Sequence, residues 1–347
     1  MTQVKAWAAP AAGAPLVPHT IERRDVGERD VLIDIAYCGV CHSDIHQARD
    51  EWGGAAFPMV PGHEIVGRVA RVGAKVTRFR PGDHAGVGCL VDSCRTCDPC
   101  RRDLEQFCER GPAWTYNSTE MDRRTPTHGG YSKQVVVTED FALKVAPSLD
   151  LAAAAPLLCA GITTYSPLRH WKVGPGQQVG VVGLGGLGHM AVKLAAAMGA
   201  EVTMLSTSPR KEADARRLGA SGFALTSDDA TFRRLRNRFD FILDTISAPH
   251  DYDRYLGMVK VDGAMVLVGV PPERIPLHAH SLIGGRRTLA GSLIGGIAET
   301  QEMLDFCAEK QVVSDVEVIP IEKINEAYER MIRGDVRYRF VIDLASL

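Results

Sequence analysis

Four cysteines crowd into fifteen residues, Cys94, Cys97, Cys100 and Cys108, in the pattern C-x2-C-x2-C-x7-C. Two-residue gaps let neighbouring sulfurs converge on one ion, and Asp98-Pro99 favours a tight turn between them. In a chain read as cytosolic, crowded thiols point to metal rather than to disulfides. Four thiolates around Zn2+ close a tetrahedron and leave no vertex for a substrate, so such a site is structural. An iron–sulfur cluster is the rival, but the bacterial ferredoxin run has a three-residue last gap and a following proline. Here the gap is seven and Glu109 follows. A second set of possible ligands is dispersed: Cys41-His42-Ser43-Asp44-Ile45-His46, then Gly62-His63-Glu64, then Cys159. Taken singly each has an ordinary reading, His63 as a hydrogen-bonded histidine and Cys159 as a small buried hydrophobe. Spacing alone does not join residues 41, 63 and 159. The remaining cysteines, Cys38, Cys89 and Cys307, are assigned to packing.

A different chemistry is written in Gly183-Leu184-Gly185-Gly186-Leu187-Gly188. An apolar run from Gln178 to Gly183 reads as a strand before it, and His189 to Met198 reads as a helix after it. That context turns a weak glycine pattern into a dinucleotide fingerprint. The first glycine makes the turn and the second admits a pyrophosphate. The third lets helix and strand pack, with the helix N-terminus facing the phosphates. About twenty residues on, an NAD site places an acid for the ribose hydroxyl. This chain reads Ser206-Thr207-Ser208-Pro209-Arg210-Lys211, with no acid between Glu201 and Glu212. Three hydroxyls and two cations suit a 2′-phosphate, so NADP(H) is the expected cofactor.

The elements that must position these groups follow from length and periodicity. At 347 residues the chain should form about two domains. Strands are expected at Val202–Leu205, Phe223–Leu225, Phe241–Leu243 and Met265–Val268, with polar helical segments between, which predicts a doubly wound parallel sheet. Apolar residues are 45% and charged residues 24%, ordinary globular values. The formal charge of −2 gives no drive towards nucleic acid or anionic membrane, and Arg233, Arg234, Arg236 and Arg238 read as a solvated face. The longest apolar stretch, Leu151 to Ile162, is twelve residues and contains Pro156, short of the ~20 a spanning helix needs. Met1 to Pro10 carries no signal-type apolar region. The expectation is a soluble, cytoplasmic protein.

With these elements in order, the chain resembles the zinc-dependent medium-chain alcohol dehydrogenases, nearest their cinnamyl-alcohol-dehydrogenase-like branch. The likeness runs nearly end to end. It is carried by Cys38 to His46, Pro61-Gly62-His63-Glu64, the four-cysteine lobe (about 89–110), His128-Gly129-Gly130-Tyr131, Pro156-Leu157-Leu158-Cys159-Ala160-Gly161 and the glycine loop. The resemblance implies an α/β fold, in which a GroES-like β-barrel catalytic domain (1–157 and 294–347) flanks a Rossmann NADP-binding domain (158–293). It implies two zinc ions per chain. Cys41, His63 and Cys159 would hold the catalytic one, with Glu64 a neighbouring or exchangeable ligand and Asp44 orienting His63. His42 would lie by the pyrophosphate, and Ser43 would pass a proton through the nicotinamide ribose to His46. Thr163, Thr245, Gly269, Val270, Ser292, Leu293 and Ile294 would line the cofactor, and Trp52 and Trp114 the substrate channel.

Three protein ligands leave one zinc position open, as catalysis requires. A bound alcohol would be acidified and give hydride to nicotinamide C4, or an aldehyde would be polarised in the reverse direction. The implied activity is interconversion of medium-chain or aromatic primary alcohols and aldehydes by a homodimer. An NAD-linked polyol or secondary-alcohol dehydrogenase of the same fold, or a non-catalytic zinc-dependent binding protein, are the alternatives.

Overall fold

Along Asp30–Gly39 the buried residues Val31, Ile33 and Ile35 alternate with Leu32 and Asp34 on the other face, the period of a strand with one side on a core. The computed structural model describes all 347 residues and sets this strand at the heart of a seven-stranded sheet. Its antiparallel neighbours are Ile65–Val72, Gln134–Thr138 and Arg339–Asp343. His84–Val87 and Leu143–Lys144 extend the sheet on one side, and Val316–Pro320 closes the other. The last pairing, Val316–Pro320 with Arg339–Asp343, is parallel and needs a crossover. Helix Ile324–Ile332 provides it, burying Ile324, Ala327, Tyr328 and Met331 at the i, i+3, i+4, i+7 spacing of an amphipathic helix. A separate hairpin, Thr2–Ala8 with Val17–Arg23, and the short pair Leu90–Asp92 with Ala113–Trp114 complete the strands here. These residues belong to a compact unit formed by 1–162 and 295–347.

Residues 163–294 form the second unit. Its six strands are all parallel, in the spatial order Gly222–Leu225, Glu201–Ser206, Gln178–Val182, Phe239–Asp244, Val259–Leu267, Thr288–Gly291. The order reverses beside Gln178–Val182, the doubly wound arrangement whose switch point binds nucleotides. That central strand is buried from Val179 through Val182, as a strand covered on both faces must be. Val182, Leu205, Phe239, Ile242, Tyr255 and Met265 lie in one core.

Two details differ from the sequence expectation. The helix after the glycine motif begins at Gly186, inside the motif, because Gly186-Leu187-Gly188 serve as its first turn. Strand Thr288–Gly291 carries no apolar run and is half exposed, so periodicity gives it no signal. No single helix is long and apolar enough to cross a membrane. The apolar run beginning at Leu151 is spent on the interior, with Ala154, Leu157, Leu158 and Ile162 fully buried.

Candidate active site and metal centres

The antiparallel register that places Cys38 opposite Ile65 determines the first site. Cys41 follows the end of one strand, and His63-Glu64 precede the start of its partner, so chain-distant residues become neighbours. The Gly39 N–H donates to the Glu64 carbonyl at 2.9 Å and holds the join. Cys159 enters from the turn between the 3-10 segment Ala155–Leu158 and helix Ala160–His170. The ligand atoms of Cys41, His63, Glu64 and Cys159 all lie within 4.8 Å of one another, and all four residues are buried. The two sulfurs are 3.9 Å apart. A tetrahedron with Zn–S bonds of about 2.3 Å has edges of about 3.8 Å, so the spacing fits zinc without rearrangement.

Asp44 orders this group. Fully buried, it accepts hydrogen bonds from the Cys41 N–H (2.8 Å), the Gly62 N–H (3.2 Å) and the Tyr131 hydroxyl (3.1 Å), and it lies 3.2 Å from His63 Nδ1. One carboxylate thus fixes both strand ends and the imidazole proton. Arg339, at the start of the strand Arg339–Asp343, pairs with Glu64 Oε1; both are buried. The other carboxylate oxygen, Oε2, is buried without a hydrogen-bond partner. Burial lifts the Glu64 carboxyl to about 7, although the Arg339 charge opposes it.

Hydrogen bonding with Cys159 brings the Cys41 thiol well below its ordinary value; burial opposes this, and the Arg339 and His63 charges assist it. The same contact, one to Cys89 and burial push Cys159 well above. At His63 burial disfavours the cation, but the charges of Cys89 and Asp44 outweigh it and hold the imidazole well above its usual range. Two sulfurs and an imidazole gathered in a buried pocket form a donor set matched to a divalent cation.

Beside this group, Ser43 Oγ lies 3.6 Å from Cys41 Sγ. His46, one turn along helix His42–Ala48, stacks on Trp52 with ring centroids 5.0 Å apart, and its Nδ1 meets the Glu51 carboxylate. Trp52 is half exposed and His42 exposed at the helix start. Trp114 is half-buried in the pair Leu90–Asp92 with Ala113–Trp114.

The four-cysteine lobe is a second ligand group: the sulfurs of Cys94, Cys97, Cys100 and Cys108 lie within 4.8 Å of one another. Cys94 and Cys100 Sγ are 3.9 Å apart, again the edge of a zinc tetrahedron. Backbone N–H groups of Cys97 and Cys94 donate to the sulfurs of Cys94 and Cys108, each at 3.4 Å. Backbone donors at Thr96 and Cys97 bring the Cys94 thiol down to about 5, while burial pushes Cys100 up to about 12. Helix Asp98–Arg101 supplies the turn that Asp98-Pro99 signals.

In the second unit the glycine loop has the shape a dinucleotide needs. Gly183 stands at φ +88°, and a Cβ on Gly188 would lie 1.9 Å from the Gly183 carbonyl oxygen, so helix and strand touch there. A Cβ on Gly185 would meet nothing within 4 Å, leaving open space at the N-terminus of helix Gly186–Ala197. Leu184 is buried and Leu187 half-buried. The strand Glu201–Ser206 ends on a hydroxyl, with Ser206 Oγ accepting from the Ser208 N–H at 3.2 Å. Thr207 and Arg210 are exposed and Ser208 and Lys211 half-buried in the turn that follows. Thr245 Oγ1 donates to the Val182 carbonyl at 2.7 Å, and the Ser292 N–H to the Leu267 carbonyl at 3.1 Å. Thr163 and Ile294 are buried, Val270 and Leu293 exposed, and Gly269 packs on the Ile246 backbone.

Several participants had escaped the sequence reading. Arg339 is 275 residues from Glu64, and no local pattern joins them. Tyr116 stacks on His63 at 5.7 Å between centroids. Cys89, assigned to packing, borders Cys159. Glu51 lies five residues after His46, beyond the end of helix His42–Ala48, so helical spacing gives no signal for the pair.

The comparisons with known proteins fall on both units. Residues 27–147 match the model of the alcohol dehydrogenase GroES-like domain, and residues 186–309 that of the zinc-binding dehydrogenases. An NADP-dependent alcohol dehydrogenase C 1 of Mycolicibacterium smegmatis is 57% identical over 100% of this chain and 99% of its own. The aldehyde reductase YahK of Escherichia coli is 55% identical over 99% of each chain. A solved cinnamyl alcohol dehydrogenase from Sorghum bicolor superposes with a TM-score of 0.96 at 45% identity, covering 99% of this chain and 98% of that one. With both metal-ligand groups and the doubly wound sheet in place, the chain belongs to the zinc-dependent medium-chain alcohol dehydrogenases, in their cinnamyl-alcohol-dehydrogenase-like branch.

Proposed function

We propose that this protein is a zinc-dependent NADP(H) oxidoreductase interconverting primary alcohols and aldehydes of medium chain length or aromatic character. The meeting of Cys41, His63, Glu64 and Cys159 in one buried group carries this reading. When bound, the metal supplies Lewis-acid polarisation of a substrate oxygen, and the nicotinamide supplies or accepts hydride.

The chain's own residues do the rest. Cys41 and Cys159 as thiolates and His63 as a neutral imidazole would hold Zn2+ with balanced charge, the metal displacing the protons that the metal-free group retains. Glu64 neighbours the site or exchanges into it, steadied by Arg339. Asp44 keeps the His63 proton on Nδ1 and so frees Nε2 as a ligand. Asp44→Asn lowers zinc affinity at this site about 10–100-fold, measured by competition with a chromophoric chelator; equal affinity would contradict the role.

Ser43 and His46 move the reaction's proton outward, with the Glu51 carboxylate bonded to His46 Nδ1 and orienting its ring. His46→Gln lowers alcohol oxidation about ten-fold and changes its pH–rate profile. An unchanged pH–rate profile removes His46 from the path.

Trp52 and Trp114 give an aromatic wall to the substrate channel, suited to medium-chain and aromatic substrates. Gly183 to Gly188 hold the pyrophosphate, while Ser206, Thr207, Ser208, Arg210 and Lys211 take the 2′-phosphate. The direction of use is aldehyde reduction, since cells keep the NADPH pool reduced. Residues 1–157 and 294–347 act as the catalytic domain and 158–293 as the nucleotide domain. The protein works in the cytoplasm as a homodimer joined along the edge strand Thr288–Gly291, which has a neighbour on one side only. The deciding experiment is a panel of cinnamaldehyde, benzaldehyde and linear aldehydes with NADPH and NADH, with metal analysis of the same sample. Two zinc per chain and NADPH-linked reduction are expected; a preference for NADH overturns the reading of Ser206 to Lys211.

A further inference from the structure

The strand Phe239–Asp244, next to the glycine-loop strand, ends on a carboxylate that is 1% exposed. Asp244 Oδ1 accepts from the Ile246 N–H at 3.0 Å, and Oδ2 lies 2.8 Å from His250 Nε2. The other ring nitrogen, Nδ1, is 2.9 Å from the Ala248 carbonyl oxygen. Both nitrogens face acceptors, and only the doubly protonated imidazole can donate to both. Burial works against that cation, but the bonds to Asp244 and Ala248 outweigh it and raise the pKa. The His250 ring also packs on Tyr252 and Tyr255, at 4.1 and 5.5 Å between centroids. The turn 245–249 is therefore fastened at both ends to one buried carboxylate through charge-assisted bonds.

That turn backs the glycine loop. Thr245 Oγ1 donates to the Val182 carbonyl and lies 3.2 Å from the Gly183 carbonyl oxygen. A Cβ on Gly183 would stand 2.9 Å from Ile246 Cγ1, and one on Gly188 would stand 3.3 Å from Thr245 Oγ1. The Ile246 carbonyl oxygen would be 2.2 Å from a Cβ on Gly269, so the next strand's exit leans on the same turn. Displacing the turn removes the surface against which Gly183 and Gly188 rest.

We propose that His250 is a positioning residue for NADP(H), tying the turn 245–249 to Asp244 and so holding the glycine loop in its binding form. The inference rests on the nucleotide reading given above. In this role His250 acts through the turn, by its bonds to Asp244 and Ala248. A loosened turn leaves only a fraction of molecules ready to bind, which weakens affinity and leaves the chemistry of the bound form intact.

The test uses the full, zinc-loaded chain, with NADPH binding followed by fluorescence titration alongside steady-state kinetics. His250→Leu, which keeps volume against the two tyrosines and removes both donors, raises the Kd and KM for NADPH about ten-fold. Its kcat at saturating NADPH stays within about two-fold of wild type. His250→Gln, which returns one donor to Asp244, recovers most of the affinity. Asp244→Asn keeps the shape and removes the charge, and gives the same split should the leucine variant fail to fold. A purely structural role lowers melting temperature and active fraction while the NADPH Kd of the folded molecules stays put. Unchanged NADPH Kd in the folded variants, or loss of kcat alone, overturns the proposal. A wild-type chain that binds no NADPH overturns the nucleotide reading, and this inference falls with it.

Discussion

Cys159→Ala retains one zinc per chain and loses turnover by about a thousand-fold or more, since Lewis-acid polarisation is worth several kcal/mol and each 1.36 kcal/mol is ten-fold. The cause lies in the donor count. Cys159 supplies one of two sulfurs in the buried group, 3.9 Å from the other, and without it Cys41 and His63 remain with a glutamate already paired to Arg339. The four-cysteine lobe shares no ligand with that group and keeps its ion. Metal content by mass spectrometry and aldehyde reduction with NADPH are the two readings. Cys89, bordering Cys159, is a spare thiol, so a Cys89→Ala/Cys159→Ala double variant separates ligand substitution from true retention. Full activity in both variants would refute the mechanism.

The second large effect is a reversal of cofactor choice by Ser206→Asp. Ser206 ends the strand next to the glycine-loop strand, where a carboxylate can accept both ribose hydroxyls of NADH. The same carboxylate repels a 2′-phosphate. Two unit charges 4 Å apart interact by about 4 kcal/mol near a protein surface. Allowing for the nearby Arg210 and Lys211, the KM for NADPH should rise about a hundred-fold, with NADH the better substrate. Equal kcat/KM ratios for the two cofactors in wild type and variant would remove Ser206 from the phosphate site.

What could be read in advance followed the distance over which each feature is encoded. The four-cysteine lobe is contained in fifteen residues, and its turn is set by a neighbouring proline, so its sequence is nearly its geometry. The glycine loop is likewise local, since its strand, turn and helix follow one another in the sequence and Gly188 packs on the Gly183 carbonyl five residues before it. The group at Cys41, His63 and Cys159 is different. Its assembly depends on antiparallel register between two strands and on a turn more than a hundred residues away. Only likeness to a family joined them in the sequence. Arg339 and Tyr116 lay beyond even that, because an arginine near a carboxy terminus and a tyrosine in a loop have no periodic signature. His250 sits in a turn whose role is visible only once Asp244 is known to be buried. Strand Thr288–Gly291 shows the same limit from the side of packing, since a short, half-exposed edge needs no apolar run.

The position of Arg339 also orders the assembly of the buried group. Donors at 41, 63, 64 and 159 leave the ribosome well before Arg339, the guanidinium bonded to Glu64. Closing the group before that strand is in place would bury the Glu64 carboxyl without its countercharge, at a cost of several kcal/mol for the ionised form. The segment 163–294 is continuous and can close as it emerges, whereas the discontinuous unit also needs residues 295–347. Nascent chains stalled short of residue 339 should therefore emerge with the second unit folded and the first still open, which limited proteolysis of the stalled chains would read.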